Sequence, residues 1–211
     1  MNSRLPYKRV VNVSHERRDN LPTRQGFGVP LILSGVVSDV TPGAVDAAAR
    51  TKVYGTKEEV AADWSDTTEA YKEAEAMFAM SPAPAQVKIG YIDPAGGKAE
   101  LDTLWRYDNA WYVAVVAQEA AWMTAPQAAL TDYFEWFAAV PRMVFAYSMD
   151  ANHENPADAT CISAVSKGLY DRAATFYIDV AGDRLAAREA AHVCTQDLDA
   201  IDSHYTAKFI K

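Results

Sequence analysis

The sequence predicts an α/β protein: a mainly parallel sheet flanked by helices, with an extended N-terminal arm carrying a short strand. Three observations lead there. Between residues 86 and 180, short β-prone runs alternate with stretches of helical periodicity, the pattern of successive βαβ units. Val29-Pro30-Leu31-Ile32-Leu33 reads as a compact buried strand bounded by Gly26, Gly28 and Gly35. Ahead of it, Ser14 to Gln25 is polar, contains Pro22 and shows no hydrophobic periodicity. With 211 residues, 50% hydrophobic and 23% charged, the chain can bury a core without disulfide staples.

Taken in order, Val10, Val11 and Val13 are the apolar positions of a short strand that the polar stretch separates from the body. Such a strand is suited to adding to the edge of another sheet. The division is therefore an arm at 1–25 and an α/β body at 26–211. After the strand at 29–33, Val53-Tyr54 is extended and Gly55 ends it. Thr56-Lys57-Glu58-Glu59 resembles a capping box opening a helix through Val60, Ala61 and Trp64. Ala70, Tyr71, Ala74, Met77 and Phe78 then give a helix from Thr68 to Met80 one apolar face, and Pro82 and Pro84 stop it.

Gln86 to Ile92 alternates polar and apolar residues in strand fashion, and a Gly96-Gly97 turn leads to a helical stretch, Lys98 to Tyr107. Trp111 to Ala117 predicts a central strand buried on both faces. Thr124 and Pro126 mark the start of an aromatic helix running to Val140. Met143 to Tyr147 is the next strand, a helix from Pro156 to Leu169 follows, and Ala174 to Ile178 is extended. Leu185 to Cys194 closes the series as a helix of small residues.

Motifs for phosphate binding fail on residues and context. Gly26-Phe27-Gly28 lacks a third glycine and precedes a strand, while Gly96-Gly97-Lys98 continues into Ala99 with Ile92 in place of the first glycine. The polar turn Asp150, Asn152, His153, Glu154, with Cys161 beyond it, is the best candidate for chemistry, a nucleophile–base pair if His153 and Cys161 meet. His192, Cys194, Asp197, Asp199, Asp202 and His204 are metal-ligating types at spacings that match no zinc or calcium template. The expectation is no catalytic, cofactor-binding or metal site and no cofactor.

The net charge of −8 disfavours direct nucleic-acid binding. It is unevenly spread. Residues 1–24 hold six basic side chains (Arg4, Lys8, Arg9, Arg17, Arg18, Arg24) against Glu16 and Asp19, so the remainder is strongly acidic. A basic arm on an acidic body suits an acidic partner, and another copy is one. Two cysteines without a CxxC spacing fit a reducing compartment. The polar opening residues read as no secretory leader, and no apolar run reaches the length of a membrane span.

Several motifs together resemble the myovirus contractile-tail sheath proteins, a group often known only as a domain of unknown function. They are Arg9-Val10-Val11-Asn12-Val13, Arg24-Gln25-Gly26-Phe27-Gly28 followed by Leu31-Ile32-Leu33, and Arg50-Thr51 with Tyr54. Glu59-Val60-Ala61-Ala62-Asp63-Trp64, Tyr71 with Ala74, Met77 and Phe78, and Ser81-Pro82 leading to Val87, Ile89 and Gly90 continue it. Trp111-Tyr112 and Asp150 fit more weakly beyond residue 92.

The resemblance implies a non-enzymatic subunit of the phage virion tail, assembled in the bacterial host cytoplasm. It would form hexameric discs stacked helically around the tail tube protein, meet baseplate and tail terminator proteins, and contract to eject the genome. Lys8, Arg9, Val10, Val11, Asn12, Val13, Arg17 and Arg18 are then the expected inter-subunit contacts. The family continues past the segment resembling Tyr205 to Phe209, so an incomplete C-terminal portion is expected. The alternatives are a small α/β enzyme with its site near His153 and Cys161, or a non-contractile tail adaptor or binding module.

Overall fold

The computed structural model describes residues 28–123, 128–155 and 157–196. The arm at 1–25, with its expected contacts from Lys8 to Arg18, lies outside the described residues. So do Thr124, Pro126, and the segment from Asp197 to Lys211.

Fourteen elements follow in chain order: β1 (Leu31–Ser34), β2 (Thr51–Tyr54), α1 (Lys57–Asp63), α2 (Glu69–Phe78), β3 (Val87–Tyr91), α3 (Gly97–Tyr107) and β4 (Val113–Val116), then α4 (Ala120–Met123), α5 (Ala128–Ala139), β5 (Met143–Ser148), a 3₁₀ turn (Ala151–Glu154), α6 (Ile162–Ser166), β6 (Ala173–Tyr177) and α7 (Leu185–Thr195). The strands form one sheet in the order β2-β3-β1-β4-β5-β6. Every pairing is parallel except β2 with β3. The α/β prediction is thus met, and the order of the parallel strands is that of a doubly wound sheet.

Helices cover both faces. α2 and α7 pack together on one face, with α1 against α2; α3 and α5 cover the other, with α6 beside α5. β1 and β4 lie centrally and are fully buried, as the unbroken apolar runs require. Thr56 caps α1 by accepting the Glu59 N–H, while the Glu59 carboxylate reaches back to the Gly55 N–H at 2.6 Å. Thr68 caps α2 in the same way.

The strand expected at Gln86 to Ile92 forms as β3, which lies between β1 and β2 and is buried on both faces. Lys88 is 3% exposed there, its ammonium 2.6 Å from Asp108 and 3.1 Å from the Ala110 carbonyl. The helix expected from Pro156 to Leu169 shortens to the five residues of α6. Asp158 accepts hydrogen bonds from the N–H groups of Thr160 and Cys161, so it favours a turn over helix in that stretch.

Among the described residues no helix is long and apolar enough to cross a membrane, and no group of three or more ligating side chains is gathered for a metal.

Candidate functional site

In a doubly wound sheet, ligands enter at the carboxyl ends of adjacent strands whose connections run in opposite directions. Here those strands are β1 and β4. The chain leaves β1 through Ser34-Gly35-Val36, and Glu119, three residues past the end of β4, fills the space between them. Ser34 donates to the Glu119 carboxylate at 2.9 Å, and the Gly35 N–H approaches both of its oxygens, at 3.1 and 2.9 Å. A Cβ at position 35 would fall 2.6 Å from Pro94 and 2.7 Å from Glu119, so only glycine permits this approach. Burial pushes the Glu119 carboxyl up to about 7.

A second internal carboxylate sits nearby. Glu73 on α2 is fully buried between α2, β5 and the start of α7. It accepts from the Tyr147 hydroxyl at 2.8 Å and from Arg184 at 2.7 Å, and Tyr147 in turn accepts the Ala187 N–H in the first turn of α7. Arg184 also pairs with Glu69, which Lys72 pairs from its own helix. Burial lifts Glu73 to about 7. The end of β1, where a ligand anion would sit in this fold, is thus held by the Glu119 carboxylate, and the Ala187 N–H at the start of α7 by the Tyr147 hydroxyl.

A groove of about 770 Å³ opens beside this network, lined by Lys72, Ala76, Met123, Met149 and Arg188 among others. Its cations have internal partners: Lys72 and Arg184 as above, and Arg188 with Asp183 at 3.7 Å. Gln118 ties the loop at its far wall, accepting from the Gly182 N–H at 3.0 Å and donating to the Asp183 carbonyl.

The His153–Cys161 candidate is not brought together as a hydrogen-bonded pair. His153 meets Ser148 at 2.9 Å and stacks on Tyr177, with ring centroids 5.4 Å apart. Burial pushes the imidazole below its ordinary value. Cys161 is buried at the start of α6. In the second cluster His192 contacts Gln196 at 3.1 Å, and burial pushes the Cys194 thiol up to about 12. Lys98, after the glycine pair, binds Glu135 on α5. Asp197, Asp199, Asp202 and His204 lie outside the described residues.

The sheet has two edges, and they differ. β2 is short, carries Lys52 paired with Asp63 at 2.5 Å, and has α1 beside it. A lysine on an edge strand discourages strand addition. β6, Ala-Ala-Thr-Phe-Tyr, carries no charge at all. Its register with β5 sends the Arg172 carbonyl and the Ile178 N–H toward β5, so the backbone groups of Ala173, Thr175 and Tyr177 face outward. Among the described residues no strand pairs with that side.

No protein-family model matches this chain, and no curated protein matches it.

The sequence reading missed Glu73, Glu119, Arg184 and Tyr147. Two of them left a signal. Glu73 falls three residues after Ala70 and four before Met77, inside the apolar stripe of α2, and Glu119 is a lone carboxylate between apolar Trp111–Ala117 and Ala120–Met123. A charge on a buried face calls for a partner, but nothing local names Arg184 or Gly35.

Proposed function

We propose that the chain is a structural subunit of a bacteriophage contractile tail sheath, polymerising around the tail tube and contracting to drive genome delivery. The observation that carries this reading is the contrast between a carboxyl crevice closed by Glu119 and an uncharged sheet edge at β6 that no strand covers among the described residues. A subunit that works through contacts with its neighbours needs the second and has no use for an open ligand crevice. The uneven charge supports the same reading, with a basic segment at 1–24 ahead of an acidic body.

The resembling motifs add to it. Arg50-Thr51-x-x-Tyr54 and Glu59 to Trp64 meet in space: the Tyr54 hydroxyl donates to Asp63 at 2.9 Å and accepts from the Trp64 indole at 3.0 Å. Leu31, Leu33, Val60, Met77, Val87 and Ile89 are all core residues. The motifs therefore specify a body, and the working parts of this reading are surfaces: contacts to further copies, to the tail tube protein, and to baseplate and terminator proteins, all within the virion tail.

Negative-stain electron microscopy of the purified chain at high concentration tests the proposal. Tubes or stacked rings are expected, lost on deletion of residues 1–24 while the circular dichroism of the body persists. Monodisperse single chains at every concentration overturn it.

A further inference from the structure

We propose that the turn Ser34-Gly35-Val36 is a binding site for small monocarboxylates with an apolar tail, which the Glu119 side chain occupies as a tethered stand-in until such a ligand displaces it. The inference is independent of the assembly reading and gives the closed crevice between β1 and β4 a ligand.

The donors of the turn converge on one carboxylate. The Ser34 hydroxyl reaches one oxygen at 2.9 Å, and the Gly35 N–H approaches both, at 3.1 and 2.9 Å. The Val36 N–H favours the ionised form as well. Position 35 has no room for a Cβ, so the backbone comes as near to the anion as only glycine allows. All these donors are neutral, and among the described residues no lysine or arginine pairs with Glu119. Such a cradle suits a monoanion better than a phosphate, which arginine or lysine commonly meets.

The stand-in is free to leave. Glu119 is only partly buried, in the short link between β4 and α4. The groups that face it are the Ser34, Gly35 and Val36 donors at the end of β1 and, from α2, Glu69, whose like charge repels it. Burial pushes its carboxyl up to about 7, so at lower pH the tether is neutral and a weaker occupant than an external anion. Around the mouth, Val36 and Val37 are 44% and 45% exposed, and Pro94 and the Trp122 ring border the space beside Gly35. An aliphatic tail on the carboxylate would lie on this apolar rim. An external ligand competes with a tethered group present at an effective concentration in about the millimolar range, so it acts only when abundant.

The unaltered full-length chain and Glu119→Ala are titrated with isobutyrate, the Gly35 and Val36 amides being followed by NMR. Chloride and inorganic phosphate serve as comparison anions. In the unaltered chain a saturable Gly35 shift is expected at pH 5.5 and is lost at pH 8. Removing the tether is expected to tighten isobutyrate binding about tenfold, and adding Ser34→Ala to weaken it again several-fold. No saturable Gly35 shift in the unaltered chain at pH 5.5 overturns the proposal, whether or not Glu119→Ala folds. Phosphate or chloride binding as tightly as isobutyrate overturns the choice of a carboxylate. Isobutyrate binding to Glu119→Ala that Ser34→Ala leaves unchanged overturns the turn as its site.

Discussion

The backbone nitrogen of Gly35 lies 2.9 Å from a carboxylate oxygen of Glu119, a residue 84 positions further along the chain. This contact closes the crevice between β1 and β4 from inside, at the place where doubly wound sheets receive ligands. It also couples the closure to protonation.

Glu119 and Glu73 are both raised to about 7 by burial. A carboxyl raised above its unfolded value stabilises the fold fully below about pH 4.5, and that contribution is lost as pH rises through about 7. Thermal unfolding followed by calorimetry is therefore expected to give a lower Tm at pH 8 than at pH 5.5, with Glu119→Gln flattening the slope. A Tm that rises across this window contradicts the assignment.

Gly35→Ala forces a methyl group into the space held by Pro94, Glu119 and the Trp122 ring, the last only 3.0 Å away. The substitution is expected to destabilise by about 1–3 kcal/mol. Urea denaturation with an unchanged m-value and a lower midpoint is the expected signature.

Arg184→Met removes one of two hydrogen-bond donors to the buried Glu73. Leaving a buried charge without its partner costs about 3–5 kcal/mol. Adding Glu73→Gln recovers part of the loss, since the amide needs no counter-charge. A double-mutant cycle in which the two changes simply add contradicts this pairing.

Tyr54→Phe deletes the hydroxyl that joins Asp63 to Trp64. About 1–3 kcal/mol of stability is expected to go with it, because the buried indole N–H loses its acceptor. Trp64 fluorescence during unfolding reports the change directly.

Much of the fold was legible because the signals are local. The apolar spacing of α2, the capping threonine at 56, and the unbroken apolar run of β4 act over a few residues, and each element forms where expected. The signal failed where a local reading competes with long-range packing. The alternation at 86–92 marks a strand but does not name the partners that let Lys88 be buried, Asp108 and the Ala110 carbonyl. The helix expected from 156 to 169 shortens because Asp158 takes the N–H groups of Thr160 and Cys161.

By itself the sequence determined the layers: which segments are strands, which are helices, and hence an α/β body with a mainly parallel sheet. Periodicity suffices for that, since side-chain direction repeats every two residues in a strand and every 3.6 in a helix. Only the tertiary structure decided the strand order, the reversed direction of β2, the closing of the β1–β4 crevice and which strands form the edges among the described residues. Those depend on partners such as Glu73 and Arg184, 111 residues apart, whose meeting no local pattern encodes.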